Sequence, residues 1–452
     1  MHIKKITAVL LVVLLLVSLA GCGDTPQPSQ PLTTESPGGT TAPGGTDSDP
    51  VVPTTDEVRP GVLDVDLTEP WVKPDLEDAY CAAFSDVGYY YKQNGFFLSF
   101  MDTENGISVI LCQKVGCEHK KEDCEAYLPM SYVMFYTDGY IYYNKLVPYD
   151  ASGVHLFRRK ADGTGEEKVA LLGGEYVSKD VSVQVGEFLA AEGALYYTLY
   201  TLEVVKENED DPGVVVERDG ILVRLDLNTG KQQELLRQRN VLIRLFGARG
   251  NALLFHALDK PSAEQIGEPD YFEKLARKHV RLQVWSASGG ITTLFDKQQK
   301  DCSWFLGLQG GKVYYYDQED VLLYDLAKNE HIVTDLPYGF QLVNQDYIIV
   351  GAEQINKFYD LRTGEYLPSD FEAASMAQQL PDNFDTASMA VKNRTDRGCI
   401  LELRYNGARY VDEYGQTVIP RLRTILGYVS FDALADGLQE SDLLIIQDVQ
   451  GK

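Results

Sequence analysis

The stretch Cys112-Gln113-Lys114-Val115-Gly116-Cys117-Glu118-His119-Lys120-Lys121-Glu122-Asp123-Cys124 has the form C-x4-C-x-H-x4-C. Four soft or borderline donors fall within thirteen residues, and three thiolates with one imidazole are a common tetrahedral zinc set. Gly116 supplies a tight turn, and the apolar run Val109-Ile110-Leu111 just before it reads as a strand that would carry the loop. The spacing departs from the usual zinc-knuckle patterns. The favoured alternative is oxidation, since an exported chain meets a non-reducing space: a Cys112–Cys124 or Cys117–Cys124 bridge would leave one thiol, for which Cys81 is the nearest partner in sequence. Neither outcome implies catalysis, since four protein ligands leave a zinc ion no open position. Cys302 and Cys399 lie inside strand-like runs and read as small core residues.

Cys22 has a different chemistry. Residues Met1 to Ala20 start with Lys4-Lys5 and continue as an apolar run, Ile6 to Val17, too short to span a bilayer comfortably, which reads as an export signal. Leu19-Ala20-Gly21-Cys22 resembles the bacterial lipobox, after which a diacylglycerol is attached to the cysteine sulfur. At ~0.8 kcal/mol per buried methylene, two or three acyl chains hold a protein essentially permanently on a membrane. Residues 1–21 are therefore read as a lipoprotein signal peptide, and the mature chain as extracytoplasmic and lipid-anchored to the cell membrane through Cys22.

From 22 to 60 the chain is dominated by Pro, Gly, Ser and Thr, with few residues able to offset chain entropy by burial. This is a disordered tether with a reach on the order of 30 Å. The folded part is placed at 61–452.

There, short aromatic and branched runs recur behind Gly, Asn or Asp. Examples are Gly139-Tyr140-Ile141-Tyr142-Tyr143, Lys312-Val313-Tyr314-Tyr315-Tyr316 and Asp346-Tyr347-Ile348-Ile349-Val350. With Phe97, Ile141, Leu195, Leu253, Val313, Ile348 and Ile400 as markers, the spacing runs from 35 to 60 residues around a mean near 50, the range of one propeller blade with loop insertions. A second signature, strand–Asp–turn–Gly–strand, is clear at Leu222 to Lys231 and Phe358 to Glu365 and weaker at Leu322 to Asn329 and Arg158 to Gly165. The pattern predicts an all-β chain: a β-propeller of six to seven four-stranded blades, six of them clear and a seventh completing the ring. A pair of β-sandwiches is the rival. Helices are predicted within Pro261 to Val280, as an insertion across one rim, and at Phe371 to Leu380 and Phe431 to Leu438.

A family resemblance attaches to Tyr89-Tyr90, Leu111-Cys112, Cys117-Glu118-His119 and Cys124-Glu125-Ala126-Tyr127-Leu128. This stretch resembles an N-terminal motif of lipoproteins from Gram-positive anaerobes, in which lipobox and tether precede a propeller similar to the low-density-lipoprotein-receptor-related type. The resemblance is sharp across Leu111 to Leu128 and implies a membrane-tethered extracytoplasmic propeller. It implies no activity.

Net charge is −26, and −28 without the leader's two lysines, with no concentrated basic stripe, so nucleic acid is not an expected partner. No nucleophile elbow, H-E-x-x-H, P-loop or strand-linked G-x-G-x-x-G is present. His119, His155, His256, His279 and His331 are scattered singly, and acidic pairs such as Glu166-Glu167 or Glu209-Asp210-Asp211 suit calcium, glycoside chemistry or plain solvation. The leading function is a binding or interaction module for a peptide, glycan or envelope protein. A cell-envelope glycan lyase or hydrolase at the channel mouth is the alternative, and a sensory or scaffolding part of a complex is a third reading.

Overall fold

A computed structural model describes residues 82–450 apart from short loop segments, the longest being 368–383. Its strands all fall in one compact unit, Asp56–Lys452. The leader, Cys22, the tether, Cys81, Cys302 and the helix anticipated at Phe371 to Leu380 lie outside the described residues.

Seven four-stranded antiparallel sheets follow one another along the chain as the blades of a β-propeller. Six are simple meanders, and in the seventh a two-stranded hairpin is inserted between the second and third strands. The first strands adjoin between blades 1 and 2, 2 and 3, 3 and 4, and 5 and 6, as Ala82–Ser85 does Met134–Thr137, and Val181–Ala191 does Val241–Arg249. These strands form the inner wall.

The second strands explain the aromatic runs. Successive side chains of a strand point to opposite faces, and here both faces are covered. In Tyr140–Lys145, Tyr142 packs into a cluster with blade 3 while Ile141 and Tyr143 pack into one with blade 1. In Lys312–Asp317, Val313 and Tyr315 face blade 4, and Tyr314 and Tyr316 face blade 6. A strand sandwiched in this way must be apolar at every position, so it reads as a continuous run where a half-exposed strand would alternate. Six of the seven markers lie on such second strands. Phe97 is the exception: it opens the third strand of blade 1, Phe97–Asp102, and the equivalent run there is Tyr89-Tyr90-Tyr91.

Seven apolar clusters, each filled from two neighbouring blades, make the circuit. The last joins Tyr89, Tyr91 and Met101 of blade 1 to Ile400 and Leu426 of blade 7. Every blade is built from one continuous stretch of chain, so among the described residues this seam is closed by side chains and not by a shared strand.

The turn signature is also borne out. Between third and fourth strands, the Asp226 carboxylate accepts from the Asn228 and Thr229 amides at 3.1 and 2.9 Å, and Gly230 adopts φ +70°. Asp360 with Gly364 repeats this geometry, Asp325 does so with Asn329 at φ +55°, and Asp102 with Gly106 adds a copy whose residues are not obvious by eye. The predicted helix within Pro261 to Val280 shrinks to Tyr271–Ala276, because His279 and Val280 enter strand pairing with Gln298 and Lys297. The other described α-helix is Phe431–Ala435.

Candidate metal centre

The cysteine loop leaves blade 1 after the short outer strand Ser108–Ile110, and one residue holds both its ends. The Leu98 carbonyl accepts the Leu111 amide at 2.9 Å, and the Leu98 amide donates to the Ala126 carbonyl at 2.8 Å. Leu111, Ala126 and Leu128 are buried between blades 1 and 2. Entry and exit are thereby fixed at Leu111 and Ala126, and the fourteen residues between them must fold back on themselves.

Two left-handed residues do the folding. Gly116 (φ +72°) completes a turn in which the Cys117 amide donates to the Lys114 carbonyl at 3.1 Å, and His119 stands at φ +52°. A histidine in that region is uncommon and costs backbone energy, of order 1–3 kcal/mol, which the surroundings must offset. The result is convergence: one donor atom each from Cys112, Cys117, His119 and Cys124 lies within 4.8 Å of every other. His119 Nδ1 is 3.5 Å from Cys124 Sγ, close to the roughly 3.5–3.8 Å donor separation that tetrahedral Zn–S and Zn–N bonds require. The His119 amide donates to Cys117 Sγ at 3.4 Å, the kind of outer contact that steadies a sulfur ligand.

The three thiols are free in the structure. Burial pushes the Cys124 thiol up to about 11. Burial also raises Cys112, but hydrogen bonds from the Lys114 amide, Cys117, the Glu125 amide and Cys124 outweigh it and bring that thiol below its ordinary value. Lys114 reaches across the loop, its Nζ donating to the Asp123 carbonyl at 3.1 Å. Three soft sulfurs and one imidazole nitrogen form a closed set able to hold a metal ion.

The loop also leans on blade 2. Gln113 donates to the Asp162 carbonyl at 2.9 Å, and a Cβ built on Gly163 (φ +84°) would stand 2.9 Å from Leu111 Cβ. The turn joining the third and fourth strands of blade 2 can approach the base of the loop only with glycine there.

The other residues singled out by type do not join this centre. Cys399 is fully buried between blades 6 and 7. His155 and His256 are buried in blades 2 and 4, His279 meets Asp296 at 2.6 Å, and His331 meets the Tyr315 hydroxyl at 2.8 Å in blade 5. Glu166-Glu167 is not an acidic pair in space. Glu166 faces Lys145 and Arg159, whereas Glu167 faces Arg158. Glu209-Asp210-Asp211 lies outside the described residues.

No protein-family model matches the chain, and no curated protein aligns with it. Among solved structures, an oligogalacturonate lyase from Vibrio parahaemolyticus is 11% identical with a TM-score of 0.42, over 83% of this chain and 93% of that one. A puromycin-hydrolysing peptidase from Mycobacterium tuberculosis is 11% identical with a TM-score of 0.41, over 81% of this chain and 53% of that one. A dipeptidyl peptidase 4 from Porphyromonas gingivalis is 9% identical with a TM-score of 0.39, over 81% and 49%. The chain thus spans about half the length of the two peptidases. At this identity none of their activities transfers to it.

Proposed function

We propose that the chain is an extracytoplasmic lipoprotein, anchored through Cys22, whose propeller is a binding module with a structural zinc at Cys112, Cys117, His119 and Cys124. The observation that carries the reading is the closed donor set. Four protein ligands on a loop clamped at both ends leave no position for water or substrate, so a metal there would hold structure and not perform chemistry. The densest aromatic runs are taken up in packing between blades, which leaves blade edges and connecting loops as the surface offered to a partner. Exposed Ile332, Val333 and Tyr366 on the outer strands of blades 5 and 6, and Tyr410 and Val411 in the blade 7 hairpin, supply apolar contact there. The tether suits a module that reaches from the membrane toward a peptide, glycan or envelope protein. The leader, the lipobox and the likeness to tethered propellers of Gram-positive anaerobes support the location.

Two measurements test it. Metal analysis of the purified full chain should return about one zinc per chain, falling severalfold in Cys124→Ser; a metal-free chain with the loop cysteines paired as disulfides would overturn the zinc assignment. Cys22→Ser should move the protein out of the membrane fraction or arrest its processing, and unchanged fractionation would remove the anchor.

A further inference from the structure

A second polar site lies on the face of blade 2 that looks toward blade 1, at the base of the hairpin whose tip touches the cysteine loop. Tyr143, Lys145, Phe157 and Arg159 share that face by strand alternation, with Phe157 paired to Tyr143 and Arg159 to Ile141. Glu166, where the hairpin returns, meets three of them. Lys145 Nζ stands 2.5 Å from Glu166 Oε2, Arg159 Nη2 and Nε stand 2.7 and 3.1 Å from the same oxygen, and the Tyr143 hydroxyl donates to it as well. Four donor atoms therefore crowd one oxygen, and none of these contacts falls on Oε1.

The donors exceed what this carboxylate can accept. Tyr143, Lys145 and Arg159 bring about nine N–H and O–H groups, against roughly four lone-pair sites on Glu166. Arg159 is 5% exposed, and its Nη1 is buried with no hydrogen-bond partner. The charges sum to a positive excess, in a protein whose overall balance is −26. Lys145 lies over the Phe157 ring at 5.2 Å, and the side chains of Lys145 and Glu166 are 26% and 30% exposed, so the cluster opens to solvent. A buried guanidinium and a partly exposed ammonium, with surplus donors beside aromatic rings, suit a second oxyanion.

We propose that Tyr143, Lys145 and Arg159 form a binding site for an oxyanion-bearing ligand, a carboxylate or a sulfate group, with Glu166 as the internal anion that holds the donors in place and competes with the ligand. The inference rests on the binding-module reading and names a ligand class for it.

The opposite signs expected of two variants make the test. Isothermal titration of the full chain in detergent, at constant ionic strength, is made with D-glucuronate, inorganic sulfate and, as the neutral control, D-glucose. Saturable binding of glucuronate or sulfate, and not glucose, is expected, and which anion binds distinguishes the carboxylate from the sulfate source. Lys145→Met should weaken it at least about fivefold and Glu166→Gln should tighten it at least about fivefold, since one loses a cation and the other the competing anion. Both positions are partly exposed, and melting curves establish that each variant folds. Neither anion binding to the parent or to Glu166→Gln, equal binding of glucose, or a Glu166→Gln variant that binds more weakly would overturn the proposal. Zinc content and membrane fractionation of the same preparations report the earlier reading separately, so lost oxyanion binding with both intact refutes this inference alone.

Discussion

His256 sets an acid limit on the propeller that can be calculated and measured. It sits on the second strand of blade 4, opposite Leu282 on one side and Arg244 on the other, and is 4% exposed. Burial, reinforced by the Arg244 charge, lowers its pKa from 6.5 to about 3. The folded chain therefore keeps the ring neutral, while the unfolded chain takes up a proton below about 6.5. Because the unfolded state binds more protons, the contribution of His256 to stability is complete above pH 6.5 and drains away as the pH falls toward 3, at up to about 1.4 kcal/mol per unit. Between pH 7.5 and 5 the loss is about 2 kcal/mol, or roughly 2–3 °C in Tm for a domain of this size. Carboxylates also titrate in this range, so the assay is a difference. Tm is followed from pH 7.5 to 5 in the parent and in His256→Gln, whose side chain carries no proton in either state. The variant should start lower and decline less steeply, by about those 2–3 °C. Parallel curves would refute the argument, because they would mean that the imidazole is protonated in the folded state or reaches solvent.

Other substitutions probe the loop and the seam. Gly163→Ala should cost about 1–2 kcal/mol through its left-handed φ, with the contact to Leu111 Cβ adding to it. It should also speed zinc loss to a chelator, since Leu111 adjoins Cys112; unaltered metal retention would show that the blade 2 contact does not brace the loop. Ile400→Ala should cost about 2–5 kcal/mol in thermal or urea unfolding, because its cluster closes blade 7 onto blade 1. A cost below about 1 kcal/mol would mean that the seam does not depend on these side chains.

Much of the architecture was legible because burial on both faces leaves an unmistakable trace. Where a second strand lies between two neighbours every position must be apolar, and Tyr140 to Tyr143 or Tyr347 to Val350 stand out in a linear reading. Phe97 misled by one strand because it too is apolar, and only pairing shows that Tyr89-Tyr90-Tyr91 occupies the equivalent place. The helix within Pro261 to Val280 was overestimated for a related reason: local periodicity cannot see that His279 and Val280 are claimed by a long-range partner strand.

The four-donor cluster was legible in composition but not in outcome. Residue types and spacing were enough to nominate Cys112, Cys117, His119 and Cys124 and to leave oxidation or metal open. What decided their convergence was Leu98, some thirteen residues upstream, which pins both ends of the loop, and two left-handed residues that turn it inward. The anchor proposed at Cys22 and the tether rest on the sequence alone, since the motifs they are read from are local and need no fold. The cluster around Glu166 is the opposite case. Glu166-Glu167 looked like an acidic pair, and only the alternation of side chains across a hairpin sends one glutamate to Lys145 and Arg159 and its neighbour to Arg158. Local chemistry along the chain specifies the turns and the strands, whereas which charges and sulfurs meet depends on pairing between distant segments, because electrostatic interactions act through space and not along the backbone.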